Sequence, residues 1–117
     1  MPAVSGTSAE RQVAIRIPPR LRAALEANTR PVAELRTTAD LLHRATQVAL
    51  YVDGCFWHGC PTHYPERRTS DDRRIRQEVE ARGWIVISGW EHEDPMVVAA
   101  AFVRAIDASK LRARRRR

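Results

Sequence analysis

A small α/β domain, a mixed sheet flanked by helices, is the fold class this chain predicts, on three observations. The apolar run Val48-Ala49-Leu50-Tyr51-Val52 is too short for a free-standing helix and ends at Asp53-Gly54, as a buried strand does. A second such run, Trp84-Ile85-Val86-Ile87, follows about thirty residues later. Between them Ser70 or Asp71 caps a helix that carries Ile75 and Val79 one turn apart and stops near Arg82 at Gly83, a crossover that permits parallel strand pairing.

The remaining elements follow in order. Residues 1–8 are small and polar and are expected to be flexible. Residues 10–17 place Val13, Ala14 and Ile17 at helical spacing before Pro18-Pro19 stops the helix. Leu21, Ala24 and Leu25 give a second short apolar face, ended by Asn28 and Pro31, and residues 32–36 read as extended. Residues 39–43 and 48–53, joined by a turn at residues 44–47, read as a hairpin with a buried second strand. Residues 84–90 form the next strand. Asp94-Pro95 then opens a last helix whose stripe is Val98, Phe102, Ala105 and Ile106, before an Arg-rich tail over residues 110–117. One domain over residues 9–109 is expected, since 117 residues support a single core.

The net charge of +6 overstates the basic surface: six of the 20 Lys and Arg lie in the tail, and the other 14 face 14 acidic residues. Such a tail is expected to be disordered and solvated, although it can add sequence-independent phosphate attraction. Arg67-Arg68 and Arg73-Arg74 are the local basic clusters. No apolar run approaches the roughly 20 residues of a membrane span, and no signal core opens the chain, so a cytoplasmic protein without membrane contact is expected.

Chemistry concentrates in Asp53-Gly54-Cys55-Phe56-Trp57-His58-Gly59-Cys60-Pro61-Thr62-His63. Cys55-x4-Cys60-x2-His63, with His92 from the end of a separate strand, supplies two thiolates and two imidazoles, a closed tetrahedral set for structural Zn²⁺ that would staple the loop to the sheet. His58 is an alternative to His63 by spacing. Asp40 and Asp53, brought together at facing hairpin ends, suit a hard divalent cation, with His58 placed to move a proton. The plain alternative is two solvated aspartates and a histidine that supports the zinc loop.

The block from Val48 to Tyr64, with Gly83-Trp84-Ile85-Val86-Ile87 and Trp90-Glu91-His92-Glu93 after it, resembles the very short patch repair (Vsr) mismatch endonucleases, over about residues 35–106. The resemblance implies a restriction-endonuclease-like fold, a structural Zn²⁺ on Cys55, Cys60, His63 and His92, and Mg²⁺-dependent nicking of double-stranded DNA beside a T:G mismatch. It implies Asp40 and the Val52 carbonyl as Mg²⁺ ligands, Asp53 at a position held by His or Asp, His58 as the catalytic histidine, and Asp72 as the acid that orients it. Phe56 and Trp57 match aromatics that wedge into the base stack. An apolar wedge costs least where pairing is already defective, although Trp57 is equally readable as packing over the zinc loop. Arg73 and Arg74 are the candidate DNA contacts beside Asp72.

The chain departs from the family in a shortened segment between Tyr64 and Asp72. It also matches loosely at Thr7-Ser8-Ala9-Glu10, where Glu10 reads mainly as a first-turn acid. A monomer is expected. The other reading of the whole is a zinc-stapled DNA-binding module that has lost cleavage.

Overall fold

The computed structural model describes residues 8–55, 60–63 and 70–116. Four strands form one sheet in the order β1-β2-β3-β4: β1 (Glu26–Thr29), β2 (Ala39–His43), β3 (Val48–Asp53) and β4 (Ile85–Trp90). The first three are antiparallel neighbours, and β4 lies parallel to β3, from Val48 beside Ile85 to Asp53 beside Trp90. Helices α1 (Ser8–Ala14), α2 (Pro19–Arg22), α3 (Ser70–Ala81) and α4 (Pro95–Arg115) complete the chain. This is the mixed sheet flanked by helices that the order of elements predicts.

The period-two alternation of β3 divides its side chains between two cores. Val48, Leu50 and Val52 point to one side, where Val13, Ala14 and Ile17 meet Val98, Phe102 and Ile106 of α4. Ala49 and Tyr51 point to the other, against Val79 of α3 and Trp84. Every residue of β3 is therefore buried, including Asp53 at its C-terminal end. Among the described residues every buried side-chain nitrogen and oxygen has a hydrogen-bond partner.

The local signals act as their chemistry requires. The Asp94 carboxylate accepts the Met96 N–H at 2.9 Å and Pro95 starts α4, satisfying one of the donors that a helix start leaves open. Gly83 turns out of α3 at φ 95°, a conformation that costs glycine little. At Gly89 a side chain is excluded by contact: a Cβ there would lie 2.7 Å from a methyl of Val98, so β4 and α4 approach each other across a bare backbone.

Three expectations are corrected. Residues 26–29, read as the end of a helical part, form edge strand β1, with Glu26 beside Leu42 and Thr29 beside Ala39, because β2 has an open edge to pair. Residues 32–36 are turns rather than extended chain: the Leu35 N–H donates to the Val32 carbonyl, and both side chains pack on the Tyr51 core. The basic tail continues α4 as helix through Arg115, its last-turn Arg112, Arg114 and Arg115 suiting the negative end of the helix dipole. Among the described residues no helix is long and apolar enough to cross a membrane.

Candidate functional site: two clusters at the end of the central strand

Past its C-terminal end β3 leads directly into a cysteine-histidine cluster. The Cys55 carbonyl accepts the Cys60 N–H at 2.9 Å, and the Cys55 N–H donates to Glu91 Oε1 at 2.8 Å. Glu91 is itself tied back, its N–H donating to the Asp53 carbonyl at 2.9 Å. The ends of β3 and β4 are thereby laced together, which carries His92 to the thiols. Cys55 Sγ lies 3.1 Å from His92 Nδ1, and Cys60 Sγ lies 3.6 Å from His63 Nδ1 and 3.8 Å from His92 Nδ1.

All four ligand atoms fall within 4.8 Å of one another. A tetrahedral Zn²⁺ with bonds of about 2.0–2.3 Å needs its ligand atoms on the order of 3.5 Å apart, so this set fits one ion with small adjustments. Both cysteines are buried thiols, not a disulfide. Burial, with Cys60 beside it, pushes the Cys55 thiol up to about 11. The Cys60 thiol, against its own burial, is lowered to about 7 by hydrogen bonds from the His63 and Thr62 backbone.

On the α3 side of the same strand end lies a cavity of about 410 Å³. Five carboxylates line it, Glu10, Asp40, Asp53, Asp72 and Glu91, against the two guanidiniums of Arg36 and Arg76. Asp40 Oδ2 accepts the Val52 N–H at 2.6 Å. Burial raises the Asp40 carboxyl to about 7, helped by a hydrogen bond and charge repulsion from Glu10 and by the charge of Asp53, while the Val52 N–H works the other way. Asp53 is held by Arg76 at 2.6 and 2.7 Å through both of its oxygens.

Thus Asp40, Val52, Asp53 and Asp72 converge on one cavity. Asp72, in the first turn of α3, also lines a second cavity of about 380 Å³ that shares Asp53 and Arg76 and adds Arg73. Arg74 is turned to solvent and pairs with exposed Asp71 at 2.9 Å. Phe56, Trp57 and His58 lie outside the described residues.

Two residues carry more weight here than their sequence positions suggest. Glu10 hydrogen-bonds Asp40 rather than serving only as a first-turn acid. Arg76 is not among the residues the sequence singles out, and its one signal there is the i, i+4 spacing from Asp72, which puts both on one face of α3.

Among known proteins, the type II nicking enzyme V.NaeI of Lentzea aerocolonigenes is 33% identical over 82 residues, 59% of this chain and 49% of the relative. The chain thus spans about half the length of the curated relative it matches. No family model and no solved structure matches it.

Proposed function

We propose that the protein is a DNA endonuclease that nicks one strand of a duplex, of the very short patch repair type, acting at T:G mismatches with Mg²⁺ at the carboxylate cavity and Zn²⁺ at the cysteine-histidine cluster. The observation that carries the reading is the convergence of Asp40, Asp53 and Asp72 beside the metal-fitting set of Cys55, Cys60, His63 and His92. The likeness to a nicking enzyme supports nuclease chemistry in general. The motif resemblance supplies the finer assignment to mismatches.

The donor set fits a hard divalent cation: carboxylate oxygens in excess over cationic groups, and a backbone carbonyl at the strand end. Asp40 and the Val52 carbonyl are the groups assigned to hold it. In an extended strand a residue's N–H and C=O face the same neighbour, so the Val52 carbonyl turns toward the side on which Asp40 takes the Val52 N–H. When bound, the cation supplies charge stabilisation for the phosphate and its leaving oxygen.

The protein's own groups do the rest. Glu10 holds Asp40 by a hydrogen bond, Asp53 adds negative charge to the cavity wall, and His58 moves the proton, oriented by Asp72. Phe56 and Trp57 wedge beside the mismatch, where unstacking is cheapest. Arg73 and Arg74 bind backbone phosphates. Zinc on Cys55 and Cys60 anchors the two positions that flank Phe56, Trp57 and His58 in the sequence.

Nicking of labelled duplexes tests this, one fully paired and one with a T:G mismatch, each with Mg²⁺ or EDTA. The expected result is Mg²⁺-dependent cutting of the mismatched duplex that disappears in Asp40→Ala. Zinc-loaded, folded protein that cuts neither duplex would sink the reading.

A further inference from the structure

A separate cavity of about 490 Å³ lies between α2 and the C-terminal half of α4, on the other face of the sheet from the carboxylates. The alternation of β2 sets this division: Leu42 packs into the Tyr51 core on the α3 side, and Leu41 into the core beneath α4. His43, in step with Leu41, lines the cavity by α4, whereas Asp40, in step with Leu42, lines the carboxylate cavity. One small ligand cannot touch both.

Val103, Asp107, Lys110 and Arg114 follow one another at intervals of four, three and four residues, and so form one face of α4 along the cavity. Because the helix runs on to Arg115, Lys110 and Arg114 project from helix and not from a loose tail. Arg20 faces them from α2. Among the described residues none of these three cations has an ion-pair partner.

His43, only 5% exposed, has its Nδ1 2.7 Å from Thr46 Oγ1 and makes no other hydrogen bond among the described residues. Every buried side-chain nitrogen there has a partner, so its second ring nitrogen meets solvent in the cavity that His43 lines. Burial and the charge of Lys110 lower the imidazole below its ordinary range, which keeps it neutral near pH 7, with one nitrogen to donate and one to accept.

Three cations against the single carboxylate of Asp107 leave an excess of two positive charges around the cavity. A phosphate monoester, at about −1.5 to −2 near pH 7, matches that excess better than a carboxylate or a backbone phosphodiester, each with one charge. Arg20 and Arg114 offer forked N–H pairs to its oxygens and Lys110 a point charge. We propose that this cavity is a phosphomonoester site, separate from the carboxylate centre, held by Arg20, Lys110 and Arg114 with His43 at its base. Free phosphate and the phosphorylated end of a nucleic-acid strand share this chemistry. The site stands whether or not the carboxylate cavity cuts DNA.

Isothermal titration of zinc-loaded protein with inorganic phosphate, without Mg²⁺ and at fixed ionic strength, tests the site. Saturable binding of one phosphate per chain is expected. Arg20→Gln and Lys110→Gln alter exposed side chains, so the fold should survive, and each should weaken binding by about tenfold or more. Arg112→Gln, whose native guanidinium bonds Ser109 Oγ at 3.0 Å and does not line the cavity, should leave it unchanged. A short duplex with 5′-phosphates, set against the same duplex with 5′-hydroxyls, separates the sources. A preference for the phosphorylated duplex that Arg20→Gln abolishes identifies a strand end; no preference, with inorganic phosphate still bound, identifies free phosphate. Absence of saturable phosphate binding, or equal weakening by Arg112→Gln, or no weakening by Arg20→Gln and Lys110→Gln, would overturn the site. Acetate competing as well as phosphate would overturn its assignment to a dianion.

Discussion

Asp40 on β2 accepts the N–H of Val52 on β3 at 2.6 Å, so a side chain rather than a strand carbonyl pairs with the central strand there. The β2–β3 register runs from His43 beside Val48 to Leu41 beside Leu50, and the carboxylate takes over at its end. A group that serves the sheet and faces the cavity is positioned by backbone geometry, which is more exact than a loop side chain achieves.

That position has a pH signature in metal-free protein. The Asp40 carboxyl is raised from 3.8 to about 7, so the folded state keeps a proton that the unfolded chain gives up. Stability from this group is fully present below pH 3.8, falls as pH rises toward about 7, and is flat above that. Melting curves in EDTA from pH 4 to 8 should therefore show Asp40→Asn gaining on wild type across this window. A constant difference would mean that Asp40 does not carry the shift.

Arg76→Ala should be costly to stability. It leaves the buried Asp53 carboxylate without its cation, and breaking such a pair by removing one partner costs about 3–5 kcal/mol. Asp53→Asn with Arg76→Ala should recover part of that loss, because no buried charge is then stranded. Urea unfolding of the two singles and the double measures the coupling. Strict additivity would place the pair in solvent.

Legibility in the sequence followed local signal strength. The β2–β3 hairpin, the α3 crossover and the start of α4 were readable because apolar period, capping Asp94 and Gly83 all agreed on the same elements. Strand β1 was not, since Glu26-Ala27-Asn28-Thr29 has weak strand propensity and is held by pairing with β2, a tertiary cause. Nor did spacing alone reveal Glu10 beside Asp40 or Arg76 on Asp53. Each is an ordinary charged helix residue until α1 and α3 dock at the same strand end. The Cys2His2 set was legible because four such ligands in so short a chain have few other uses.

Gly89→Ala tests the contact between β4 and α4. The added methyl would meet Val98 methyls at 2.7 and 2.9 Å, and overpacking of this kind costs roughly 1–3 kcal/mol. Thermal melts should show the loss, and Val98→Ala in the same chain should relieve most of it. Undiminished stability of Gly89→Ala would mean that the helix can shift without cost.

Zinc removal should destabilise the whole domain, because the cluster ties the loop after β3 to His92 at the end of β4. An ion bound only by the folded state at 100 to 1,000 times its dissociation constant contributes about 3–4 kcal/mol. For a domain near this size each kcal/mol moves the melting temperature by roughly 4 °C, so a strong chelator should lower it by on the order of 10–15 °C. Cys60→Ala should start from the lowered value and respond no further to chelator, since Cys60 is fully buried and has no substitute thiol beyond Cys55. Elemental analysis should find one zinc per chain in wild type and none in the variant. A chelator-insensitive melt with zinc absent from both would mean that the four side chains pack as a polar cluster and hold no ion.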